Sequence, residues 1–303
     1  MLKSATATTH GKAILIGEHS VVYDKTALAL PIQNLNVTVR LTPINGNTSY
    51  IKSANINLDA PISTIEAKHP GLFYLLTHFE SHQAFEATYI SNIPTERGLG
   101  SSAATSLATI KALNDALALE LSFDEQTAYA NHAEELNHGS ASGLDIATVC
   151  RDRLVYFDHG HCEFINQTLG AHLVIADSGV LGNTKKAVSL VKQQYQSSIG
   201  KAYIDDLTQL VKQTKALWQK QDIKKLGIVF NKAQTVLSQL QVSHPIIDQL
   251  IHTANVHGSL GSKLSGGGLG GIVISLAENG QTAEKISQAL RLAGAKNTWI
   301  EEI

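Results

Sequence analysis

Residues 94–104 read Pro94-Thr95-Glu96-Arg97-Gly98-Leu99-Gly100-Ser101-Ser102-Ala103-Ala104. Directly after this stretch, apolar residues recur at three- and four-residue spacing as far as Leu117, which predicts a helix. A helix start presents unpaired backbone N–H groups and a partial positive charge, and glycine lets a phosphate approach the backbone closely. The stretch is therefore typical of a phosphate-binding loop, but a serine that only caps an ordinary helix also explains it.

Two better-known loops are excluded by the spacing of this stretch. A Walker A loop requires Gly-Lys-Ser or Gly-Lys-Thr at its end, and no such sequence follows Gly100. A nucleophile elbow, G-x-S-x-G, requires a second glycine two residues after the serine, where Gly100-Ser101-Ser102-Ala103-Ala104 has Ala104. A dinucleotide-binding fold is poorly supported, because no G-x-G-x-x-G follows an early strand.

The segments on either side of the predicted helix indicate the fold class. Before it, residues 35–42 alternate between apolar and polar, which is the period of a half-buried strand. After it, residues 122–125 have the pattern of a capping box for a helix that Gly139 ends, and residues 184–255 are largely helical. Residues 271–276 predict a strand again. Strands, then helices, then strands predict an α+β fold rather than a doubly wound parallel sheet.

The length of 303 residues favours two domains. His159-Gly160-His161 interrupts two strand patterns, so we predict a boundary there, with an N-terminal domain over residues 1–165 and a C-terminal domain over residues 166–303. The formal net charge is −2, which argues against nucleic acid or an anionic membrane as a partner. No stretch approaches the ~18 apolar residues of a membrane span, and the N-terminus lacks a signal-peptide pattern, so we expect a cytoplasmic protein.

A second glycine-rich stretch, Lys263-Leu264-Ser265-Gly266-Gly267-Gly268-Leu269-Gly270-Gly271, runs into the strand predicted at residues 271–276. So many glycines are costly in conformational entropy. We therefore expect a ligand or another chain segment to approach this backbone closely, in preference to a flexible turn.

Three further groups are candidates for chemistry. Lys12 and Glu18-His19 flank an apolar strand pattern, although each alone is more typical of the surface. Glu134 lies near the end of a helix, where the macrodipole disfavours an acid, so it suggests a partner such as a cation. Asp145 follows the small-residue turn Ser140-Ala141-Ser142-Gly143, and a plain helix cap is the alternative interpretation.

Together and in this order, these segments resemble the GHMP kinases, the family named for galactokinase, homoserine kinase, mevalonate kinase and phosphomevalonate kinase. The resemblance covers nearly the whole chain. In the second glycine-rich stretch the family usually has Thr and Ala where this chain has Ser265 and Gly267. Within the family, residues 17–23 are similar to the branch that phosphorylates mevalonate, whereas members that phosphorylate phosphomevalonate tend to carry tyrosine at the His19 position.

The resemblance implies an ATP-dependent kinase with ATP and Mg²⁺ as cofactors and mevalonate as its small-molecule substrate. It implies that Asp145 is the general base and that Lys12 stabilises the alkoxide and the transferring phosphoryl group. Ser102 and Glu134 would hold Mg²⁺. The remaining implied site residues are Gly98, Leu99, Gly100, Ser101, Ser102 and Ala103 for the ATP phosphates, Gly266, Gly267 and Gly268 in the third family motif, and Glu18, His19 and Thr184 for the substrate.

The implied fold has two α+β domains. Its N-terminal domain contains a left-handed βαβ unit, its C-terminal domain is an α+β sandwich, and the active site lies in the cleft between them. A homodimer is compatible with the sequence. Phosphomevalonate kinase is the first alternative, because Lys185 and Lys186 could bind a phosphorylated acceptor. A nucleotide-binding sensor is the second, but a sensor has no need of Lys12, Glu134 and Asp145 together.

Overall fold

The computed structural model describes residues 2–139 and 142–303. These residues fall into two units, each built from several stretches of chain. The first unit contains the described residues of 1–12, 31–95 and 100–152, and the second contains residues 13–30, 96–99 and 153–303. The predicted domains, 1–165 and 166–303, divide the chain differently and stay a prediction of where the two functional domains lie.

The first unit combines antiparallel and parallel strand pairing with a group of four helices. Its elements are β1 (Ala5–Ile16), β2 (Ala27–Pro43), β3 (Tyr50–Ser53), β4 (Leu58–Pro61), α1 (Pro70–His78), β5 (Phe85–Ser91), α2 (Ser101–Leu117), α3 (Phe123–His138) and α4 (Leu144–Val149). The strands β1 and β2 also contribute residues to the second unit. β5 pairs antiparallel with β2 and parallel with β3, and β3 pairs antiparallel with β4. α2 packs against α1, α3 and α4.

The second unit contains an antiparallel sheet and the remaining α-helices of the described residues. Its elements are β6 (Leu154–Asp158), β7 (His161–Ile165), β8 (His172–Asp177), α5 (Thr184–Gln194), α6 (Ser198–Gln219), α7 (Ile223–Gln239), α8 (Pro245–Val256), β9 (Gly261–Ser265), β10 (Ile272–Ala277), α9 (Gly280–Leu292) and β11 (Asn297–Glu302). The strand order β11-β8-β10-β9 places β8 in the interior of the sheet. Helices α7, α8 and α9 pack against its strands.

The local sequence signals explain most of these elements. In β2, Leu35, Val37, Val39 and Leu41 are buried while the residues between them are more exposed, as the alternation predicts. The Ser122 side chain and Glu125 form both hydrogen bonds of a capping box at the start of α3, and Gly139 ends that helix in the left-handed conformation. The α+β class is therefore confirmed. The left-handed βαβ unit and the predicted cleft stay predictions.

The interruption at His159-Gly160 has a local cause. β6 and β7 pair antiparallel, with Asp158 opposite His161. His159 and Gly160, which lie between that pair, therefore form the turn of a β-hairpin. Both have positive φ, 48° for His159 and 79° for Gly160. Among the helices of residues 2–139 and 142–303, none is both long enough and apolar enough to cross a lipid bilayer.

Candidate active site

Lys12 and Asp145 form an ion pair within the first unit. Nζ of Lys12 lies 2.9 Å from Oδ1 of Asp145, and the exposed fractions of the two side chains are 4% and 43%. The cap of α4 is Gly143, with φ 81° and no side-chain capping hydrogen bond, so Asp145 is not the helix cap. A buried ammonium group thus holds a carboxylate that faces solvent. Ser140 and Ala141, which belong to the predicted turn, lie outside the described residues.

Gly100 stands at the start of α2 and against the Lys12 side chain. It caps the helix with φ 71°, and no side chain forms a capping hydrogen bond there, so neither Ser101 nor Ser102 is the cap. The helix start therefore keeps backbone N–H groups that no capping side chain uses. A Cβ atom on Gly100 would come within 2.7 Å of Cγ of Lys12. Gly100 is the residue that lets the start of α2 and the Lys12 stem approach each other.

Glu134 is a buried carboxylate surrounded by hydroxyl and amide groups. Its Oε1 accepts hydrogen bonds from Oγ of Ser102 at 2.6 Å and from Oγ of Ser106 at 3.0 Å. Asn137 Nδ2 donates to Oγ of Ser102 at 3.1 Å, and Nε2 of His138 lies 3.6 Å from Oε2 of Glu134. Glu134 is 5% exposed, so its carboxylate is not a solvated surface group.

The Glu134 cluster suits a cation that also binds the nucleotide. A serine hydroxyl and a carboxylate are the hard oxygen ligands that Mg²⁺ prefers, and Mg²⁺ is usually held by one or two carboxylates plus substrate phosphates. Within the described residues there is no group of three or more His, Cys, Asp or Glu side chains that could enclose a metal by itself. Ser102 and Glu134 therefore fit Mg²⁺ as a partner of bound phosphates. Sequence reasoning missed Ser106, although its position four residues after Ser102 puts it on the same face of α2.

His19 is buried in the second unit and forms a hydrogen bond with the loop of the third family motif, Gly266 to Gly268. It is 5% exposed and adopts a left-handed φ of 64°. Its Nε2 donates to the carbonyl of Gly267 at 2.9 Å. Burial lowers the pKa of His19 from 6.5 to about 4, and the hydrogen bond to Gly267 opposes this only in part. The imidazole is therefore neutral at physiological pH, with its proton on Nε2.

Glu18, predicted to contact the substrate, forms an ion pair with Lys263. Both side chains are fully buried. Burial lowers the pKa of Lys263, against the opposing effect of the Glu18 carboxylate. The Lys263 ammonium also donates to the carbonyl of Leu264 at 2.7 Å. Glu18 is the chain neighbour of His19, the other residue predicted to contact the substrate, but its side chain has no exposed surface.

The glycines of the third motif are approached by other chain segments. A Cβ atom on Gly267 would come within 2.9 Å of Thr184, the first residue of α5. One on Gly268 would lie 2.2 Å from the carbonyl oxygen of Val242. The expectation of a close approach is thus confirmed for chain segments of the second unit.

Three comparisons place these features beside known proteins. The sequence model of the family "GHMP kinases N terminal domain" matches residues 67–152. The model of the family "GHMP kinases C terminal" matches residues 213–296. Mevalonate kinase of Pyrococcus horikoshii is 29% identical, with 97% of this chain and 94% of that protein covered.

Two solved structures resemble the chain over nearly its whole length. Mevalonate kinase from methicillin-resistant Staphylococcus aureus MRSA252 is 30% identical, with a TM-score of 0.77 and 99% of each chain covered. The L. major mevalonate kinase in complex with R-mevalonate is 25% identical, with a TM-score of 0.86, and 100% of this chain and 99% of that one are covered.

Proposed function

Because the chain belongs to the GHMP kinase family and is an ATP-dependent small-molecule kinase, we propose that it transfers the γ-phosphoryl group of ATP to the C5 hydroxyl of mevalonate. The products are 5-phosphomevalonate and ADP, in the mevalonate route to isoprenoids. The choice of mevalonate is supported by relatives and neighbours that are mevalonate kinases, one of them solved with R-mevalonate. The homodimer and the cytoplasmic location expected from the sequence stay predictions.

One observation carries the chemistry, the pair of Lys12 and Asp145 at 2.9 Å. In the reaction the acceptor oxygen bonds to the γ-phosphorus while the bond from that phosphorus to ADP breaks. The hydroxyl proton passes to the Asp145 carboxylate as general base. The Lys12 ammonium stabilises the charge that develops on the acceptor and phosphoryl oxygens. Phosphoryl transfer depends chiefly on positioning and electrostatic stabilisation, which these two groups supply.

The loop over Gly98, Leu99, Gly100, Ser101, Ser102 and Ala103 binds the ATP phosphates. In support, α2 starts with a glycine cap and so keeps N–H groups for an anion. Mg²⁺, held by Ser102 and Glu134, would neutralise charge on the β- and γ-phosphates. The buried Glu134 carboxylate, with its hydroxyl partners, is the observation that supports this role.

The acceptor is recognised by His19 and Thr184. The neutral imidazole donates through Nε2 to Gly267, which leaves Nδ1 as an acceptor for a substrate hydroxyl. Thr184 is exposed at the start of α5 and lies against Gly267. Glu18 is not expected to touch the acceptor, because its side chain is fully buried against Lys263.

An acceptor panel tests this function. ADP release is measured with mevalonate, phosphomevalonate, galactose and homoserine at saturating ATP. Mevalonate should give the highest kcat/KM. Phosphomevalonate is the alternative acceptor, since Lys185 and Lys186 are exposed beside Thr184. A preference for phosphomevalonate or for either other acceptor would overturn the assignment of mevalonate.

A further inference from the structure

Arg97 lies within residues 94–104, but its side chain is buried. The side chain is 8% exposed, and its Nε lies 2.8 Å from Oδ1 of Asp177, a side chain that is 3% exposed. Nη2 of Arg97 donates to the carbonyl of Gly179 at 3.4 Å. The backbone N–H of Gly179 donates to Oδ1 of Asp177 at 2.9 Å. Guanidinium, carboxylate and the Gly179 backbone thus form one buried network in the second unit.

Asp177 is a fixed anchor for this network. It is the last residue of β8, and its register partners are Ile272 on β10 and Asn297 on β11. Its carbonyl also accepts a hydrogen bond from the backbone N–H of Lys296 at 2.8 Å. An interior strand of a sheet is among the most constrained parts of a fold, so Asp177 offers Arg97 a rigid point of attachment.

Around Arg97, buried and exposed residues alternate. Arg97 and Leu99 are 8% and 1% exposed, whereas Glu96 and Gly98 are exposed. Glu96 and Gly98 both have left-handed backbone, with φ of 57° and 80°. For Glu96, which carries a Cβ atom, this conformation persists only where the surroundings fix it, whereas glycine adopts it without strain. Two buried side chains therefore hold an exposed, left-handed glycine between them.

Stability alone is a poor explanation for the charged pair. Replacing a buried ion pair by apolar residues of similar volume is often neutral or stabilising. In addition, Nε and Nη1 of Arg97 are buried and neither forms a hydrogen bond within the described residues, so the contact of Nε with Asp177 is an ion pair without a hydrogen bond, which adds a desolvation cost. What the network does supply is a fixed position for Arg97, because Asp177 attracts its charge while Nη2 donates to the carbonyl of Gly179.

We propose that Arg97 is a positioning residue for ATP. Through Asp177 and Gly179 it fixes residues 96–99, so that the backbone of Gly98 is already in place when the phosphates arrive. Pre-ordering a loop removes part of the entropic cost of binding. The proposal rests on the proposed function, which assigns Gly98 to the phosphate loop.

The test is calorimetric binding of a non-hydrolysable ATP analogue with Mg²⁺, together with steady-state kinetics. The main variant is the double substitution Arg97→Gln with Asp177→Asn, which removes both charges and leaves no unpaired one. Arg97→Lys keeps the charge but loses the planar fork, and it decides the question if the double variant does not fold. The control is Lys225→Met, which removes a surface ion pair between Lys225 on α7 and Asp222, the residue that caps this helix.

Both Arg97 variants should raise the Kd for the analogue at least tenfold, while the KM for mevalonate stays within twofold of the wild-type value. In spectra of nucleotide-free protein labelled with ¹⁵N-glycine, the Gly98 amide signal should shift or broaden. Lys225→Met should leave the Kd and the spectrum unchanged. If either Arg97 variant folds and its Kd for the analogue is within twofold of the wild-type Kd, the proposal is overturned. An unchanged protein that binds the analogue but phosphorylates another acceptor would instead refute the proposed function and leave the role of Arg97 standing.

Discussion

The buried His19 makes the stability of the second unit depend on pH in a way that can be calculated. Its pKa is lowered from 6.5 to about 4 because burial disfavours the charged imidazolium. Between these values the unfolded chain binds a proton that the folded chain does not. Stability is therefore fully present above pH 6.5 and is lost as the pH falls from 6.5 towards 4.

The size of the effect follows from the same two values. The full difference in pKa corresponds to about 3 kcal/mol, and about 2 kcal/mol of this is already lost between pH 7 and pH 5. The matched control is His19→Gln, because the glutamine amide can still donate to the carbonyl of Gly267 but does not titrate. The other histidines of the chain contribute equally to both proteins, so they cancel in the difference.

The assay is urea unfolding at pH 7 and at pH 5, followed by tryptophan fluorescence. Both tryptophans, Trp218 and Trp299, lie in the second unit with His19, so the signal reports on the relevant unit. The unchanged protein should lose about 2 kcal/mol more than His19→Gln between the two pH values. Equal losses in the two proteins would refute the assignment of a buried, neutral His19.

Further predictions concern the proposed general base, the start of α2 and the proposed metal ligands. Asp145→Asn should lower kcat by ~10²–10⁴-fold and leave the Kd for ATP within a few-fold, as expected for loss of a general base; near-normal turnover would exclude that role. Gly100→Ala should lower kcat and weaken ATP binding, because its Cβ would displace the Lys12 stem, whereas Gly170→Ala has the same left-handed strain in open space and should leave both unchanged. Glu134→Gln should raise the Mg²⁺ concentration needed for half-maximal activity, and Glu134 is not a metal ligand if that titration curve is unmoved; the neighbouring, exposed Glu135→Gln is its control.

Local patterns in the sequence predicted much of the fold because they depend on near neighbours. The alternation over residues 35–42, the spacing that leads to α2 and the capping box at Ser122 all became the expected elements. The short strands β3 and β4 escaped prediction, since four residues are too few to show a period. The hairpin turn at His159-Gly160 cannot be told from a domain boundary by sequence, because both interrupt a strand pattern, and the predicted boundary between residues 165 and 166 stays a prediction.

The candidate site was predictable where a motif carries it and not where distant residues meet. The glycines of residues 98–100 and the pairing of Ser102 with Glu134 could be proposed from the sequence and the family resemblance. The ion pair of Glu18 with Lys263 joins residues far apart in the chain, and no periodicity records such a contact. The burial of Arg97 could not be predicted for a similar reason. An arginine in a loop is expected to be exposed, and its buried partner Asp177 lies far away in the sequence.

The central claim is that this chain phosphorylates the C5 hydroxyl of mevalonate with Asp145 as base, and product identification tests it most directly. The protein is incubated with ATP, Mg²⁺ and mevalonate, and the product is examined by ³¹P and ¹H NMR, with Asp145→Asn in parallel. We expect a phosphomonoester signal coupled to the C5 methylene protons, formed by the unchanged protein and almost absent with the variant. A phosphorylated product with the coupling elsewhere, ATP consumption without phosphorylated mevalonate, or equal product from Asp145→Asn would contradict the claim.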